Sequence, residues 1–149
     1  MTVGTVCNRD VVTAERESAV IELAQLMRSR HVGDVVIVEN RDGRRYPVGL
    51  VTDRDLVLEV VALGLNPAGL VAGDLLTEPL VVVEESDELD QALARMRTHG
   101  VRRLPVVDVG GALVGVLSSD DVIEMLSDQV SDLSLLVIRE QRHEQQRRV

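Results

Sequence analysis

An α/β (α+β) fold of two similar halves, each running strand, helix, strand, strand, helix and packed about a pseudo-two-fold axis, is what this sequence predicts. Three observations point to it. An apolar helical stripe occurs twice, the second copy 69 residues after the first. Each stripe leads into an apolar, β-prone run, a turn and a second such run. Each second run carries a glycine, a hydroxyl and an aspartate at one spacing, Gly49-x-x-Thr52-x-x-Asp55 and Gly115-x-x-Ser118-x-x-Asp121. About 55 residues per half is marginal for a separate core, so the halves should pack on each other.

The first half opens with an extended piece, Val11-Val12-Thr13. Val20, Leu23, Ala24 and Met27 then take the i, i+3, i+4, i+7 spacing of one helix face, and the helix should end near His31. Ser18, two residues ahead of the stripe, is a good N-cap type. Val35-Val36-Ile37-Val38 predicts a strand, because β-branched residues crowd a helix and suit a pleated sheet. Asn40-Arg41-Asp42-Gly43 marks a turn, and Val48-Gly49-Leu50-Val51-Thr52 a second strand. A helix follows from Asp53 to about Leu63. Asn66-Pro67-Ala68-Gly69 separates the halves, and Leu70 to Leu76 predicts a short helix entering the second.

The second half repeats this order. Leu80-Val81-Val82-Val83 is the extended piece, with Pro79 at its start. Leu89, Ala92, Leu93 and Met96 form the stripe, Asp87 its cap and His99-Gly100 its end. Leu104-Pro105-Val106-Val107 and Val114-Gly115-Val116-Leu117-Ser118 are strands about Gly110-Gly111, and Ser119 to about Leu126 is the last helix. The offset falls from 69 at the stripes to 66 at the motifs, which predicts a first hairpin loop three residues longer. On this reading residues 3–65 form one repeat, 70–127 the other and 128–149 a helical tail. Ile123, Leu126, Val130, Leu133 and Val137 step by 3, 4, 3, 4, a short heptad stripe. A helix folded back on its own module and a dimerisation helix both fit it. Arg139 to Arg148 is polar and predicts a solvated end.

Composition removes several classes of function. Of 149 residues 45% are apolar, enough for a real core, and the formal net charge is −9, which disfavours non-specific nucleic-acid binding. All 16 basic residues are arginine, so no Schiff-base or phosphate-loop lysine exists. Cys7 stands alone, so no internal disulfide forms, and Tyr46 is the single aromatic residue, so stacking platforms for single strands are absent. The start lacks a basic segment followed by an apolar run, and Leu56 to Leu65 is interrupted by Glu59 and Gly64, far short of a membrane span. The expectation is a cytoplasmic protein with no nucleic-acid or membrane partner. His31, His99 and His143 lack metal-ligand spacing. Asp53, Asp55, Asp120 and Asp121 are poor candidates for a phosphoryl-transfer metal cage without a phosphate loop, although Mg²⁺ can arrive with a bound nucleotide. No catalytic residues are expected, and no cofactor is required.

The repeated motif admits two readings. In one it is a capping box: Thr52 or Ser118 caps a helix, and the aspartate three residues on answers the free backbone donors. In the other, a helix start at a strand end offers N–H groups and a positive dipole to phosphate. The hydroxyl then donates to phosphate, the carboxylate accepts ribose hydroxyls, and glycine admits a close approach to the backbone. The readings are compatible.

The duplicated stretches resemble a tandem pair of CBS domains, the module named after cystathionine β-synthase. The resemblance is carried by Val48-Gly49-Leu50-Val51-Thr52-Asp53-Arg54-Asp55, Val101-Arg102-Arg103-Leu104-Pro105-Val106-Val107 and Val114-Gly115-Val116-Leu117-Ser118-Ser119-Asp120-Asp121, and runs from about Val3 to about Leu126. It implies a two-repeat, disc-like regulatory module whose clefts bind adenosine-containing ligands: AMP, ADP, ATP, S-adenosylmethionine or NAD. It further implies ribose-binding roles for Asp55 and Asp121, phosphate-side hydroxyls at Thr52 and Ser118, and phosphate contacts from Arg102 and Arg103. Val101, Leu104 and Pro105 would line the adenine, and Val11, Val12, Leu80 and Val81 would touch it. Asp53, Arg54 and Asp120 complete the candidate set. The resemblance also implies a homodimer paired through helical faces, and an unknown regulated protein as partner. The copies differ, however: Gly33-Asp34 stands where the second half has Arg102-Arg103, Val36 where it has Pro105, and Arg54 where it has Asp120. Two equivalent sites are therefore not expected. A ligand-free scaffold acting through dimerisation is the alternative.

Overall fold

The computed structural model describes residues 1–148. Its elements are α1 (Val3–Val6), β1 (Thr13–Ala14), α2 (Val20–Arg30), β2 (Asp34–Arg41), β3 (Arg44–Thr52), α3 (Asp53–Leu56), β4 (Val83–Glu84), α4 (Leu89–His99), β5 (Arg103–Val107), β6 (Leu113–Ser118) and α5 (Ser119–Arg147). A π-helical stretch, Val57–Val61, continues α3, and short 3₁₀ turns occupy Pro67–Gly69 and Ala72–Leu75. Two three-stranded sheets result, ordered β1-β2-β3 and β4-β5-β6. In each, the short first strand is parallel to the second, and the second and third form an antiparallel hairpin.

Strand β2 shows why the halves stay together. Val35, Val36, Ile37 and Val38 are all buried. Side chains alternate across a strand. Val35 and Ile37 join α2's Leu23 and Met27 in the first half's core. Val36 and Val38 face the other way and pack with Leu113 and Val116 of β6 in a third cluster between the sheets. The second half's own core gathers Val83, Ala92, Met96, Leu104, Val106, Leu117 and Val122. Leu93 lies outside it and is exposed, because the stripe that α4 buries is the narrower line of Leu89, Ala92 and Met96.

The segment that precedes each half in sequence is built into the other half. Val3 is wholly buried in the second core, and Ala72 in the first. The Val3 N–H donates to the Asp87 carbonyl at 2.9 Å, and the equivalent Ala72 N–H to the Ser18 carbonyl at 2.8 Å. The Val20 and Leu89 N–H groups, which open α2 and α4, donate to the carbonyls of Leu70 and Met1. These crossing segments take up the first N–H of each helix; at α4 the Gln91 side chain also accepts from the Glu88 N–H at 3.1 Å. The N-cap positions are therefore Ala19 and Glu88 rather than Ser18 and Asp87. Ser18 and Asp87 close the preceding turns instead, accepting from the N–H of Glu15 and Glu84 at 3.1 and 3.0 Å.

Three further expectations need correction. The first hairpin is extended in its strands, not its loop: β2 and β3 run to a tight turn at Asp42-Gly43, where both residues have positive φ (51° and 79°) and match the twist of the hairpin. The second hairpin closes through the longer loop from Asp108 to Ala112, which the Asp108 carboxylate holds by accepting from the N–H groups of Gly110 and Ala112. The extended pieces pair over only two residues each, Thr13–Ala14 and Val83–Glu84, because the turns that Ser18 and Asp87 close follow at once. And α5 does not stop near Leu126; it continues through the polar tail to Arg147, since no Gly or Pro interrupts it.

Helices α2 and α4 end where expected, at His31 and Gly100, both left-handed (φ 55° and 65°). Glycine adopts this cap without penalty, whereas a side chain costs about 1–2 kcal/mol there. Against that stands about 0.4–1 kcal/mol of extra unfolded-chain entropy for glycine. His31→Gly should thus stabilise the protein by roughly 0.5–1 kcal/mol. Calorimetry should show a melting temperature higher by about 2–4 °C.

Candidate functional site

Each motif lies where a sheet's last strand turns into a helix, and both form complete capping boxes. The Asp55 N–H donates to Thr52 Oγ1 at 3.2 Å, and the Thr52 N–H to Asp55 Oδ2 at 2.9 Å. In the second copy the Asp121 N–H donates to Ser118 Oγ at 3.0 Å, and the Ser118 N–H to Asp121 Oδ2 at 3.2 Å. One carboxylate oxygen of each aspartate is thereby committed to the backbone; Oδ1 of each takes no hydrogen bond among the described residues. The glycines of the motifs admit protein rather than open space. A Cβ on Gly49 would collide with the Leu76 side chain, and one on Gly115 would lie 2.8 Å from the Asn8 carbonyl oxygen and from Cys7 Sγ. What approaches them closely is the crossing segment of the other half.

Strand register places one more residue beside each cap. Asp34 pairs with Thr52 in the first sheet, and Arg103 with Ser118 in the second. These two are equivalent positions of the two halves, and they meet: Arg103 Nε lies 3.4 Å from Asp34 Oδ1, with the side chains only 29% and 20% exposed. Equivalent residues touch only near a two-fold axis, so the pseudo-dyad passes by this pair. Asp53 and Arg103 also converge on Gly33, whose Cβ position lies 3.2 Å from Asp53 Oδ2 and 3.3 Å from an Arg103 terminal nitrogen. Burial pushes the Asp34 carboxyl above its ordinary range; Arg103 opposes that, and Asp53 and Asp121 reinforce it. The two motifs thus share one electrostatic centre of Asp34, Asp53, Arg103 and Asp121.

The other candidates are dispersed. Arg102 points outward and approaches Asp120 at 3.5 Å, both side chains being about 70% exposed (73% and 69%). Its carbonyl accepts the Ser119 N–H, as the Gly33 carbonyl accepts that of Asp53. Arg54 is exposed at the start of α3. Val101 is exposed just ahead of β5. Leu104 and Pro105 are buried in β5, Leu104 fully inside the second core. Val12 is buried in the first core, and Val81 packs at the edge of the second. Asp34 belongs with the site but is absent from the motif. Its signal was the replacement of a basic pair by Gly33-Asp34 when the halves are aligned. No group of three or more His, Cys, Asp or Glu is placed to hold a metal ion among the described residues. No described helix is long and apolar enough to cross a membrane.

Comparison with known proteins places this geometry in a family. The CBS domain profile matches residues 3–62 and again 72–128. An uncharacterized protein of Methanopyrus kandleri is 39% identical over 125 residues, which cover 84% of this chain and 62% of that relative's length. Hypoxic response protein 1 of Mycobacterium tuberculosis is 30% identical over 123 residues, 83% of each chain. A crystal structure of hypoxic response protein I with two coordinated zinc ions superimposes with a TM-score of 0.71, covering 83% of this chain and 98% of that one. A CBS domain protein of Pyrobaculum aerophilum, solved in complex with AMP, is 29% identical with a TM-score of 0.73, covering 81% of this chain and 89% of that one. Both matched segments fall on the two sheet-and-helix halves described above, and the chain belongs to the CBS-domain family.

Proposed function

We propose that this pair of repeats binds an adenosine-containing small molecule beside the capped helix starts and reports its presence to another protein, with no catalysis of its own. Ligands of this class are AMP, ADP, ATP, S-adenosylmethionine and NAD; Mg²⁺ would accompany a polyphosphate. The doubled capping box carries the reading. It holds Asp55 and Asp121 rigidly by one oxygen and leaves the other to accept the hydroxyls of a ribose. Asp121 is the stronger candidate, because it opens the 29-residue helix α5 and lies close enough to act on Asp34, the partner of Arg103, while α3 gives way to a π-helical stretch after Leu56. The AMP complex of the Pyrobaculum aerophilum relative supports the ligand class. Thr52, Ser118 and Arg103 would serve phosphate, with Arg102 at the rim.

One observation favours the ligand-free scaffold instead: Arg103 already has a carboxylate partner in Asp34. A thermal-shift screen separates the two readings, because a ligand that binds only the folded state raises the melting temperature. A rise with at least one of the five ligands at millimolar concentration supports the sensor. No rise with any of them supports the scaffold.

Asp121→Ala should weaken AMP and adenosine alike, since both carry the ribose. It also leaves the Ser118 N–H without its acceptor, at a cost of about 1 kcal/mol of stability. Titration calorimetry measures the first effect, and melting, run beside it, measures the second.

The protein is further proposed to be a homodimer. Val57, Leu58 and Val61 after the first motif, and Ile123 and Leu126 after the second, are exposed large apolar side chains on the helical face. Light scattering reads the mass.

A further inference from the structure

One face of α5 is self-complementary in charge about a single point. Every described residue from Leu126 to Arg148 is exposed, but Asp128 and Asp132 still border a groove shared with Met1, Thr5 and Val6, and only past Asp132 does the helix stand clear of the body. At about 100° per residue, Asp128, Asp132, Leu135, Leu136, Arg139 and Arg142 share one side, turned away from the heptad stripe of Val130, Leu133 and Val137. A shallow groove runs along that side, lined by five of these six residues, all but Asp128, together with Ile138. Its charges are segregated. Asp128 and Asp132 are four residues apart and repel each other, as do Arg139 and Arg142, three apart. None of the four has an ion-pair partner among the described residues. Between them stand Leu135 and Leu136, 64% and 63% exposed.

We propose that two copies of this chain pair antiparallel along this face, about a two-fold axis passing between Leu135 and Leu136. The inference goes beyond the self-association proposed above: it uses a second surface, which the antiparallel orientation keeps apart from the first, so the two contacts together join copies into an assembly larger than a dimer. Positions 132 and 139 average to 135.5, and 128 and 142 to 135, so one axis sets Asp132 against Arg139 of the second copy and Asp128 against its Arg142. Symmetry makes each pair twice, as an isologous contact requires. Repulsion within each helix is replaced by attraction between helices, and Leu135 covers its own mate at the centre. A partner centred at 135.5 brings its Arg142 and Arg147 toward the groove that Asp128 and Asp132 share with Met1, Thr5 and Val6, which Asp121 and Glu124 also line, so its basic end meets an acidic one. A parallel pairing would set aspartate on aspartate and arginine on arginine.

Cysteine cross-linking in the full chain tests this. Leu135→Cys should form a disulfide-linked dimer with itself under mild oxidation. Asp128→Cys should not, yet it should link to Arg142→Cys when the two variants are mixed; the wild-type chain, with half-buried Cys7, sets the background. Arg139→Asp should weaken self-association along this face roughly tenfold, and Asp132→Arg in the same chain should restore it. Self-linking of Asp128→Cys would mean a parallel pair and overturn the proposal. A dimer by light scattering with no cross-link above background would overturn it while leaving the homodimer intact. A monomer in every sample would remove both.

Discussion

Arg103→Ala is expected to weaken AMP binding by about ten- to a hundredfold and to leave adenosine binding nearly unchanged. A charge-assisted hydrogen bond contributes on the order of 1.5–3 kcal/mol, which converts to that range of affinity. The surroundings push in the same direction. Without the guanidinium, Asp34, Asp53 and Asp121 remain around the site with nothing to oppose their charge. Adenosine has no phosphate and is indifferent to that field. Titration calorimetry with both ligands on both proteins decides the matter. Equal losses for AMP and adenosine would show that Arg103 holds the fold of the site and not a phosphate. Arg102→Ala, whose side chain is solvated, should cost far less.

Asp34→Asn is expected to do the opposite, tightening AMP on the order of tenfold while leaving adenosine alone. The asparagine keeps the shape but removes the carboxylate that competes with phosphate for Arg103. Stability should not suffer. The Asp34 carboxyl titrates above its ordinary range in the folded protein, because burial outweighs the attraction of Arg103 and two aspartates add to it. A carboxyl whose folded value is raised binds its proton more tightly when folded. Its charge therefore costs stability at neutral pH, and that cost fades as pH falls through the folded value. The wild-type protein should gain stability relative to Asp34→Asn as pH falls from neutral into that window. Melting curves of the two proteins across this range check it. A neutral-pH melting temperature well below wild type in Asp34→Asn would mean the ion pair is a net support. The double variant Asp34→Asn with Arg103→Ala closes the cycle: an AMP affinity predicted by simple addition would show that the residues act independently.

The features written as periodicity or as local chemistry were legible in the sequence. The two stripes, the four main strands and both capping boxes follow from spacing and residue type alone. The crossing segments were not. Val3 and Ala72 lie in short stretches with no period, and only the tertiary fold shows that each fills the other half's core. The same blind spot misdirected the motif glycines, whose need for space was read as access for a ligand and is met by Leu76 and by Asn8 with Cys7. The extent of α5 was legible in principle, because nothing after Ser119 terminates a helix, but a polar tail without strong apolar period invites an early stop. Asp34 was visible as a difference between the halves. That it would touch Arg103 follows only once the two-fold relation is applied to space, since residues near such an axis meet their own equivalents.

The claim on which all of this rests is that the chain binds an adenosine-containing ligand at the pseudo-dyad. Titration of AMP into the purified wild-type protein tests it most directly. Saturable binding with a Kd in the millimolar range or tighter, lost in large part in Arg103→Ala, is the expected result. No saturable heat with AMP or adenosine at millimolar concentration, from a protein that melts cooperatively, would contradict it.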